Sequence, residues 1–259
     1  MLITSIKQFQ DIIPTASSIE LDFREIQTFV EDAESWLCDE ILGNDLYVAI
    51  EQLSNTNTTK ITLQKAVCLR AYDKAIPFLD LVQTSNGFAV VSNSNQVPAS
   101  KERVERLINW TKSRLATTID SLFVVCLTNP ALNTEWQKHA LFHEFTDMVF
   151  LTRKEFLTYT DANIIDFEQF RAVRGKILSL QTHLAQYISQ EQIDALLDDR
   201  RNNETSPAEI KLLLYLKTIV GMMYVKREYW RDLEHAINYM TSHPDFFASY
   251  HASEAYQVK

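Results

Sequence analysis

The sequence predicts a mainly α-helical protein built from two tandem, pseudo-repeated helical modules, with one β-hairpin inserted in the first. Three observations lead to this prediction. The 259 residues include four glycines and six prolines, so turn-dense β-folds and glycine-rich phosphate loops have little material. Apolar residues recur at intervals of three and four, the period of an α-helix. A shift of 147 residues relates the caps and apolar positions of the two halves.

The first module opens with a short capped helix followed by a long one. Ser5 and Gln8 have the spacing of a capping box, and Pro14 ends the apolar run behind them. The long helix is predicted from about 19 to 42. Gly43 then stands where a left-handed cap is favoured, because glycine accepts positive φ without a steric penalty.

Two further helices and a hairpin follow. Asn44 opens a shorter helix, and Thr59 is the expected cap of a helix over 60–76. The hairpin is predicted at about 78–92. Its turn contains Asn86-Gly87, because both residues tolerate the positive φ of a tight hairpin turn.

The first module closes with two more predicted helices. One runs from Lys101 to about Ile119, and the other from about Asn133 to Phe145. Between them, the apolar segment 122–127 is compatible with either a strand or a buried helical turn. Periodicity alone does not separate the two for so short a run.

The second half repeats this pattern at a fixed shift. Adding 147 carries Ser5 to Thr152, and Thr59 to Ser206, which begins a capped Ser-Pro-Ala-Glu start. The predicted domains are therefore 1–147 and 148–259, the second without a hairpin and with an aromatic, extended C-terminal tail. The shift also relates these apolar pairs: Phe9–Phe156, Phe23–Phe170, Val30–Ile177, Leu37–Leu184, Ile41–Ile188, Leu63–Ile210 and Val67–Leu214.

Charge and cysteine usage narrow the functional classes. The formal net charge of −9 disfavours binding of nucleic acid through its phosphates, so no sequence-specific nucleic-acid binding is predicted. Cys38, Cys68 and Cys126 are widely spaced in apolar stretches, which is typical of reduced, buried thiols. No signal peptide and no membrane span are predicted, so we expect synthesis in the cytoplasm.

The sequence offers no convincing catalytic, cofactor-binding or metal-binding cluster, and we predict a protein that is not an enzyme. The nearest candidate pairs His139 with His143, four residues apart and followed by Glu144, as two ligands on one helix face. The glutamate does not stand where the zinc peptidase pattern places it, and no third ligand is identifiable. Polar residues on an amphipathic helix explain the segment more simply.

Two features are more typical of partner contacts. The hairpin protrudes from one module, and the tail carries aromatic residues that a single helix does not bury. Exposed aromatics in such segments commonly dock on a partner. The alternative for the tail is that it folds back on its own domain. The predicted contact residues are Asn86, Gly87, Phe88, Phe246, Phe247, Tyr250 and Tyr256.

The segments LITSIKQF, FREIQTFVEDAESWLCDEILG and ITLQKAVCLRAYDKAI resemble the small head–tail connector, or neck adaptor, proteins of tailed phages. The second copy departs from that pattern at Gln190, where a glycine is expected. The whole chain, including LDLVQTSNGFAVVSNSNQVPAS and DFFASYHASEAY, is also similar to an uncharacterised prophage-encoded family of gut bacteria. The first copy carries the connector likeness at Thr4, Phe9, Ile26, Ala33, Trp36, Gly43, Ala66 and Ala71, and the second at Thr152, Phe156, Val173 and Leu184.

The connector resemblance implies a structural role without catalysis or cofactor. It implies self-association into a ring, contact with phage portal and tail proteins, and a place in the virion. An acidic ring would suit this role, since it should not retain the DNA that it conducts. Two other functions stay open from the sequence: a cytosolic helical adaptor or scaffold, and a metal-dependent enzyme at the histidine pair.

Overall fold

Helices make up most of the computed structural model, which describes residues 1–13, 22–79, 81–84, 87–90 and 100–257. The mainly α-helical prediction is confirmed. The chain divides into two compact units: Met1–Leu122 with Ile165–Phe167, and Phe123–Ile164 with Glu168–Lys259. Residues 123–147, which the sequence analysis assigns to the first module, therefore pack within the second unit.

Unit 1 begins with four helices whose ends are set by local caps. The hydroxyl of Ser5 accepts the N–H of Gln8, as predicted, and Asp22 caps the next helix. The expected cap of the fourth helix, Thr59, is buried; its backbone N–H is instead bound by Asn57, two residues earlier. The helices are α1 (Ile6–Ile12), α2 (Phe23–Leu37), α3 (Asn44–Glu51) and α4 (Thr58–Ala75).

The corner between α2 and α3 contains a π-helical turn, Cys38–Leu42. The N–H of Gly43 closes it by donating to the carbonyl of Cys38, five residues back (2.8 Å). Gly43 has φ 80° and ψ 153°, so its φ is positive as predicted but its ψ is not that of a left-handed helical cap. The chain turns sharply there and α3 begins.

The apolar faces of these helices form the core of unit 1. Each helix places residues three or four apart on the same side, so the buried positions align along the axis. Fully buried members include Phe9, Val30, Leu37, Ile41, Leu46, Ile50, Leu63 and Val67.

Two short strands follow a single 3₁₀ turn at Ile76–Phe78. Strands β1 (Leu81–Thr84) and β2 (Gly87–Val90) pair in antiparallel register, with Leu81 opposite Val90 and Thr84 opposite Gly87. Their loop, residues 85–86, lies outside the described residues, as do 91–99.

One helix, α5 (Lys101–Thr128), continues from there, and its last residues belong to unit 2. The segment 122–127, left open between strand and helix, is helical. Among the described residues no single helix is long and apolar enough to cross a membrane. The pair formed by α5 and the next helix passes jointly on length and composition, with a bend of 101° between them.

The helix predicted from Asn133 to Phe145 is in fact two helices, α6 (Pro130–Gln137) and α7 (Ala140–Thr146). The imidazole of His139 interrupts it, since its Nδ1 accepts the N–H of Leu141 and so caps α7 (3.2 Å). This local cap was not visible in the apolar periodicity.

Unit 2 then continues with four helices that follow the order of α1 to α4: α8 (Arg153–Tyr159), α9 (Phe167–Ile188), α10 (Gln190–Asn202) and α11 (Pro207–Tyr224). Thr152 caps α8 by accepting the N–H of Glu155 (3.1 Å). The capping box predicted at Ser206 is confirmed, with Glu209 as its partner.

The fixed shift of 147 is wrong for α11. It pairs Leu63 with Ile210 and Val67 with Leu214. Leu63 and Val67 are fully buried, whereas Ile210 and Leu214 are 50% and 48% exposed. If the two modules are copies, their register slips before this helix, because equivalent residues do not differ so strongly in burial.

The C-terminal segment is not extended. It forms α12 (Trp230–Thr241) and two short helices, α13 (Ala248–His251) and α14 (Glu254–Gln257). Phe247 and Tyr250 are fully buried in the core of unit 2, together with residues from α8 to α12. The tail folds back on its own domain because these two rings complete that core.

Candidate interaction surface

The predicted contact residues fall into three groups. Phe247 and Tyr250 are buried and unavailable to a partner, which corrects their assignment. Phe246 is exposed, and Tyr256 is partly exposed against His251 and Tyr250. The hairpin residues Gly87 and Phe88 belong to β2, while Asn86 lies outside the described residues. The prediction for the tail is therefore wrong for Phe247 and Tyr250, because these two rings pack in the core of unit 2.

The histidine pair is not arranged as a metal site. His139 uses Nδ1 to cap α7, while the exposed His143 pairs with Asp147 through its own Nδ1 (3.2 Å). Within the described ranges, no group of three or more His, Cys, Asp or Glu side chains is placed to hold a metal ion. Glu144 instead forms an ion pair with Arg171 (2.7 Å).

The three cysteines have raised pKa values because burial disfavours the thiolate. The pKa is about 11 for Cys38 and about 12 for Cys126, and that of Cys68 is also raised. Thiols with such pKa values are protonated at neutral pH and are poor nucleophiles.

The guanidinium of Arg200 holds the non-helical segment between α7 and α8. The guanidinium of Arg200 donates to the carbonyl oxygens of Thr146 (2.7 Å), Met148 (2.7 Å) and Val149 (3.1 Å). Burial lowers the pKa of Arg200 to about 10. Backbone that lies outside helices and strands within a domain must find hydrogen-bond partners, and this one side chain supplies three donors.

Gln181 completes the hold on the same segment. Its amide oxygen accepts the N–H of Val149 (2.9 Å), and its nitrogen donates to the carbonyl of Asp147 (3.0 Å). Arg200 and Gln181 together satisfy most of the backbone of residues 146–149. We assign them a structural role, since every contact they make here is to the protein's own main chain.

A carboxyl pair joins α10 to α11. The hydrogen bond to Glu209 raises the pKa of Asp199 to about 6, with burial and the negative charge of Glu209 acting in the same direction. Burial opposes ionisation of Glu209, but hydrogen bonds from Asp199 and Ser206 outweigh it and lower its pKa. The raised pKa of Asp199 and the lowered pKa of Glu209 favour the arrangement in which Asp199 carries the proton and Glu209 is ionised.

An exposed cluster of aromatic rings is the feature of unit 2 most typical of a binding surface. It is made by two elements that are distant in sequence. His183 and Tyr187 stand one turn apart on α9, and Tyr229 and Trp230 begin α12. We call these four residues the aromatic patch.

Each ring of the patch contacts the next one in a row. The ring centroids of His183 and Tyr187 are 5.9 Å apart, those of Tyr187 and Trp230 are 5.7 Å apart, and those of Tyr229 and Trp230 are 4.6 Å apart. The first two contacts are edge-to-face, so the surface is ridged. Trp230 is 53% exposed, and His183 is also exposed.

The C-terminal end of α11 sets the direction of the loop that leads to Tyr229 and Trp230. The N–H of Arg227 donates to the carbonyl of Met222 (2.8 Å), and that of Lys226 donates to Met223 (3.1 Å). This is a Schellman motif, in which Lys226 takes the left-handed position with φ 58°. The proximity of Trp230 to α9 could not be predicted from the sequence, because no local pattern relates positions 43 residues apart, such as Tyr187 and Trp230.

Comparison with known proteins supplies one match. Residues 22–140 match a family described as a family of unknown function, DUF6712, over less than half of the chain. This stretch runs from the cap of α2 to the start of α7 and does not reach the second copy of the proposed repeat. No curated protein and no solved structure matches the chain.

Proposed function

We propose that the chain is a non-enzymatic structural protein, a phage or prophage head–tail connector or a related virion-assembly subunit built from a duplicated helical module. The connector assignment is carried by the sequence resemblance. The duplication is supported by hydrogen bonds that recur at equivalent positions in the two units.

The first recurring bond joins a non-helical segment to the long helix. In unit 1, Glu34 accepts the N–H of Leu2 (2.5 Å); in unit 2, Gln181 accepts that of Val149 (2.9 Å). Both partners are displaced by 147 positions. Neither contact follows from helix periodicity, because each joins residues 32 positions apart in sequence.

The second set of recurring bonds surrounds the first helix of each unit. The N–H of Thr4 donates to Gln8 (2.8 Å), and that of Leu151 donates to Glu155 (2.7 Å). The reciprocal caps, from Ser5 and Thr152, were described above. Two amphipathic helices slid into agreement would not reproduce a long-range bond together with a reciprocal cap.

The register of the fourth helix supports duplication once the slip is included. Asn57 caps α4 and Ser206 caps α11, a difference of 149, and both helices have 18 residues. At this shift the buried Thr59 and Leu63 correspond to the buried Ala208 and Leu212. The exposed Ile61 likewise corresponds to the exposed Ile210.

Self-association is the property that tests the proposal. Native mass spectrometry and negative-stain imaging of the full chain, alone and with portal and tail proteins encoded near its gene, would measure it. A closed ring, or a ring formed on the portal, is the expected result. A chain that stays monomeric alone and binds none of those proteins would overturn the connector proposal and favour the adaptor.

A further inference from the structure

We propose that Asp73 is a proton-controlled switch that decides how firmly unit 1 holds residues 165–167. Its carboxyl group acts on the same lysine that binds this distant segment, so a negative charge there competes for the cation. The inference is independent of the proposed function and concerns contacts within unit 1. Three observations carry it: a buried carboxyl oxygen without a hydrogen bond, a lysine near two carboxyl groups, and a ring contact next to the ion pair.

The first observation is the environment of Asp73 on α4. The residue is 6% exposed, and its Oδ1 accepts no hydrogen bond from the residues that the structure describes. A buried carboxylate needs donors that replace its lost water, so a carboxyl group without them favours its neutral form. Burial accordingly raises the pKa of Asp73, and the negative charge of Asp166 acts in the same direction. Three nearby cations oppose the rise without cancelling it: Lys112, Lys74 and Arg70.

The second observation is the position of Lys112 on α5. Its Nζ lies 3.9 Å from Oδ2 of Asp166, a long ion pair that leaves the ammonium able to move on its four-carbon stem. Of the three cations, Lys112 acts most strongly on Asp73. While Asp73 is neutral, the ammonium is drawn to Asp166 alone. Once Asp73 ionises, two carboxylates share one ammonium and repel each other, so the bond to Asp166 weakens.

The third observation is the aromatic contact beside the ion pair. Phe167 follows Asp166 directly, and its ring packs edge-on against that of Trp36, with centroids 6.1 Å apart. Both rings are buried. The guanidinium of Arg70 lies over the same indole, 3.9 Å from its centroid. Because Asp166 and Phe167 are adjacent, weakening of the ion pair lowers the free energy needed to withdraw the phenyl ring from the indole.

The hold on residues 165–167 therefore weakens as pH rises. The folded-state pKa of Asp73 lies above its ordinary value of 3.8. The stability that this group contributes is full below pH 3.8 and is lost as pH rises through the folded-state pKa. The same loss of the proton places the second negative charge beside Lys112, so release of the segment and ionisation of Asp73 occur over one pH range.

Fluorine NMR of the full chain labelled with 5-fluorotryptophan tests the switch. The signal of Trp36 is identified by its loss in Trp36→Phe, and Phe167→Ala gives its position without the phenyl ring. The wild-type signal, compared with this reference, gives the ratio of released to held segment. From about pH 5 to about pH 8 this ratio should rise about fivefold, the effect of losing a partly screened ion pair. Asp73→Asn, which has nearly the same volume and does not ionise, should show no rise.

Two further variants make the test specific. Lys112→Met removes the cation and should release the segment already at about pH 5, to about the same extent. Glu25→Gln removes an exposed carboxylate of α2 in the same unit and should keep the wild-type pH profile. The pH profile of Phe167→Ala measures any direct effect of Arg70 on the indole and is subtracted from the others.

Three results would overturn the switch. One is a rise of the same size in the wild-type chain and in Asp73→Asn. Another is a wild-type signal that moves with pH no more than that of Phe167→Ala. The third is an unchanged signal at about pH 5 in Lys112→Met, which also decides the matter if Asp73→Asn does not fold. Circular dichroism at both pH values verifies that each variant is folded.

Discussion

In each unit the chain turns a corner after the long helix, and different residues form the corner in the two units. In unit 1 the corner after the long helix carries a π-helical turn and Gly43, with φ 80° and ψ 153°. In unit 2 the corner between α9 and α10 is made by Ser189, with φ 84° and ψ 144°. These dihedral angles are nearly identical. Backbone with positive φ and ψ near 150° is populated almost only by glycine, so it is strained for serine.

The comparison shows that two corners can have the same backbone geometry with different residues. Gly43 reaches the conformation without penalty. Ser189 is buried there, and its hydroxyl accepts the N–H of Gln192 (3.1 Å), which offsets part of the strain. Under the proposed duplication, the π-helical turn adds one residue to unit 1, and Gly43 then corresponds to Ser189 and not to Gln190.

The largest expected effect on stability concerns the packing of α11 against α8 in unit 2. Phe9 meets Tyr72 in unit 1. Under the proposed duplication, with a shift of 149 between α4 and α11, Tyr72 corresponds to Gly221. A Cβ added there would lie 2.5 Å from the carbonyl oxygen of Tyr159. Gly221→Ala should therefore destabilise the chain by about 3 kcal/mol in urea denaturation, because backbone must move.

Gly175→Ala is the matched control for that experiment. A Cβ at Gly175 in α9 would have no atom within 4 Å, so this variant should gain roughly 0.5 kcal/mol from its higher helix propensity. If the two alanines changed stability equally, close approach at Gly221 would not be the reason for a glycine there.

The next effect concerns the segment that precedes the first helix of unit 2. Arg200→Met should cost about 3 kcal/mol, since the carbonyl oxygens of Met148 and Val149 lose the donor that Arg200 supplies and that of Thr146 keeps only the longer bond from Arg201 (3.4 Å). Faster hydrogen exchange at the amide of Val149 would localise the loss. Arg227→Met, which removes an exposed pair with Asp161, should change stability by less than about 0.5 kcal/mol. Equal effects of the two arginines would contradict the structural role of the buried one.

The two corners predict substitutions of opposite sign. Gly43→Ala should destabilise by about 2 kcal/mol, because alanine is strained at this φ and ψ. Ser189→Gly should stabilise by about 0.5 kcal/mol, since relief of strain exceeds the small cost of replacing a serine cap by glycine. Thermal unfolding of both variants would measure these changes in stability. If Ser189→Gly were destabilised, the stabilisation by the serine cap would exceed the cost of the backbone strain.

The smallest effect depends on pH. Asp199 has a folded pKa near 6 against an ordinary value of 3.8, so the folded state holds this proton more tightly. Stability from this group is full below pH 3.8 and falls as pH rises toward 6. Asp199→Asn keeps a donor to Glu209 and abolishes that fall.

Urea denaturation across pH measures this prediction. The gain of Asp199→Asn over the wild-type chain should be near zero at pH 4 and about 1 kcal/mol at pH 7.5, after allowance for solvent screening. A constant difference across this range would mean that the carboxyl pair does not control it.

Local chemistry was readable from the sequence. Capping pairs such as Ser5 with Gln8 and Ser206 with Glu209 involve residues three apart, and the structure has both. The apolar period similarly identified the buried side of the long helices, including Leu37 and Leu184. These features depend on a few consecutive residues and little on the rest of the fold.

Features set by tertiary structure were missed. A shift of 147 ignores the π-helical turn and the different lengths of α3 and α10, so Val67 was matched to the exposed Leu214. Phe247 was assigned to a partner because nothing local shows which core an aromatic ring enters. The aromatic patch needs His183 and Trp230 side by side, a proximity that only the folded chain creates.

Unit 1 includes three residues from far along the chain, Ile165–Phe167. Their position in the sequence affects the order of folding during synthesis. Phe167 packs edge-on against Trp36, and Asp166 pairs with Lys112. While the nascent chain emerges from the ribosome, the first unit therefore stays incomplete until residue 167 has left the exit tunnel. Its last contacts form only when translation of the second unit is under way.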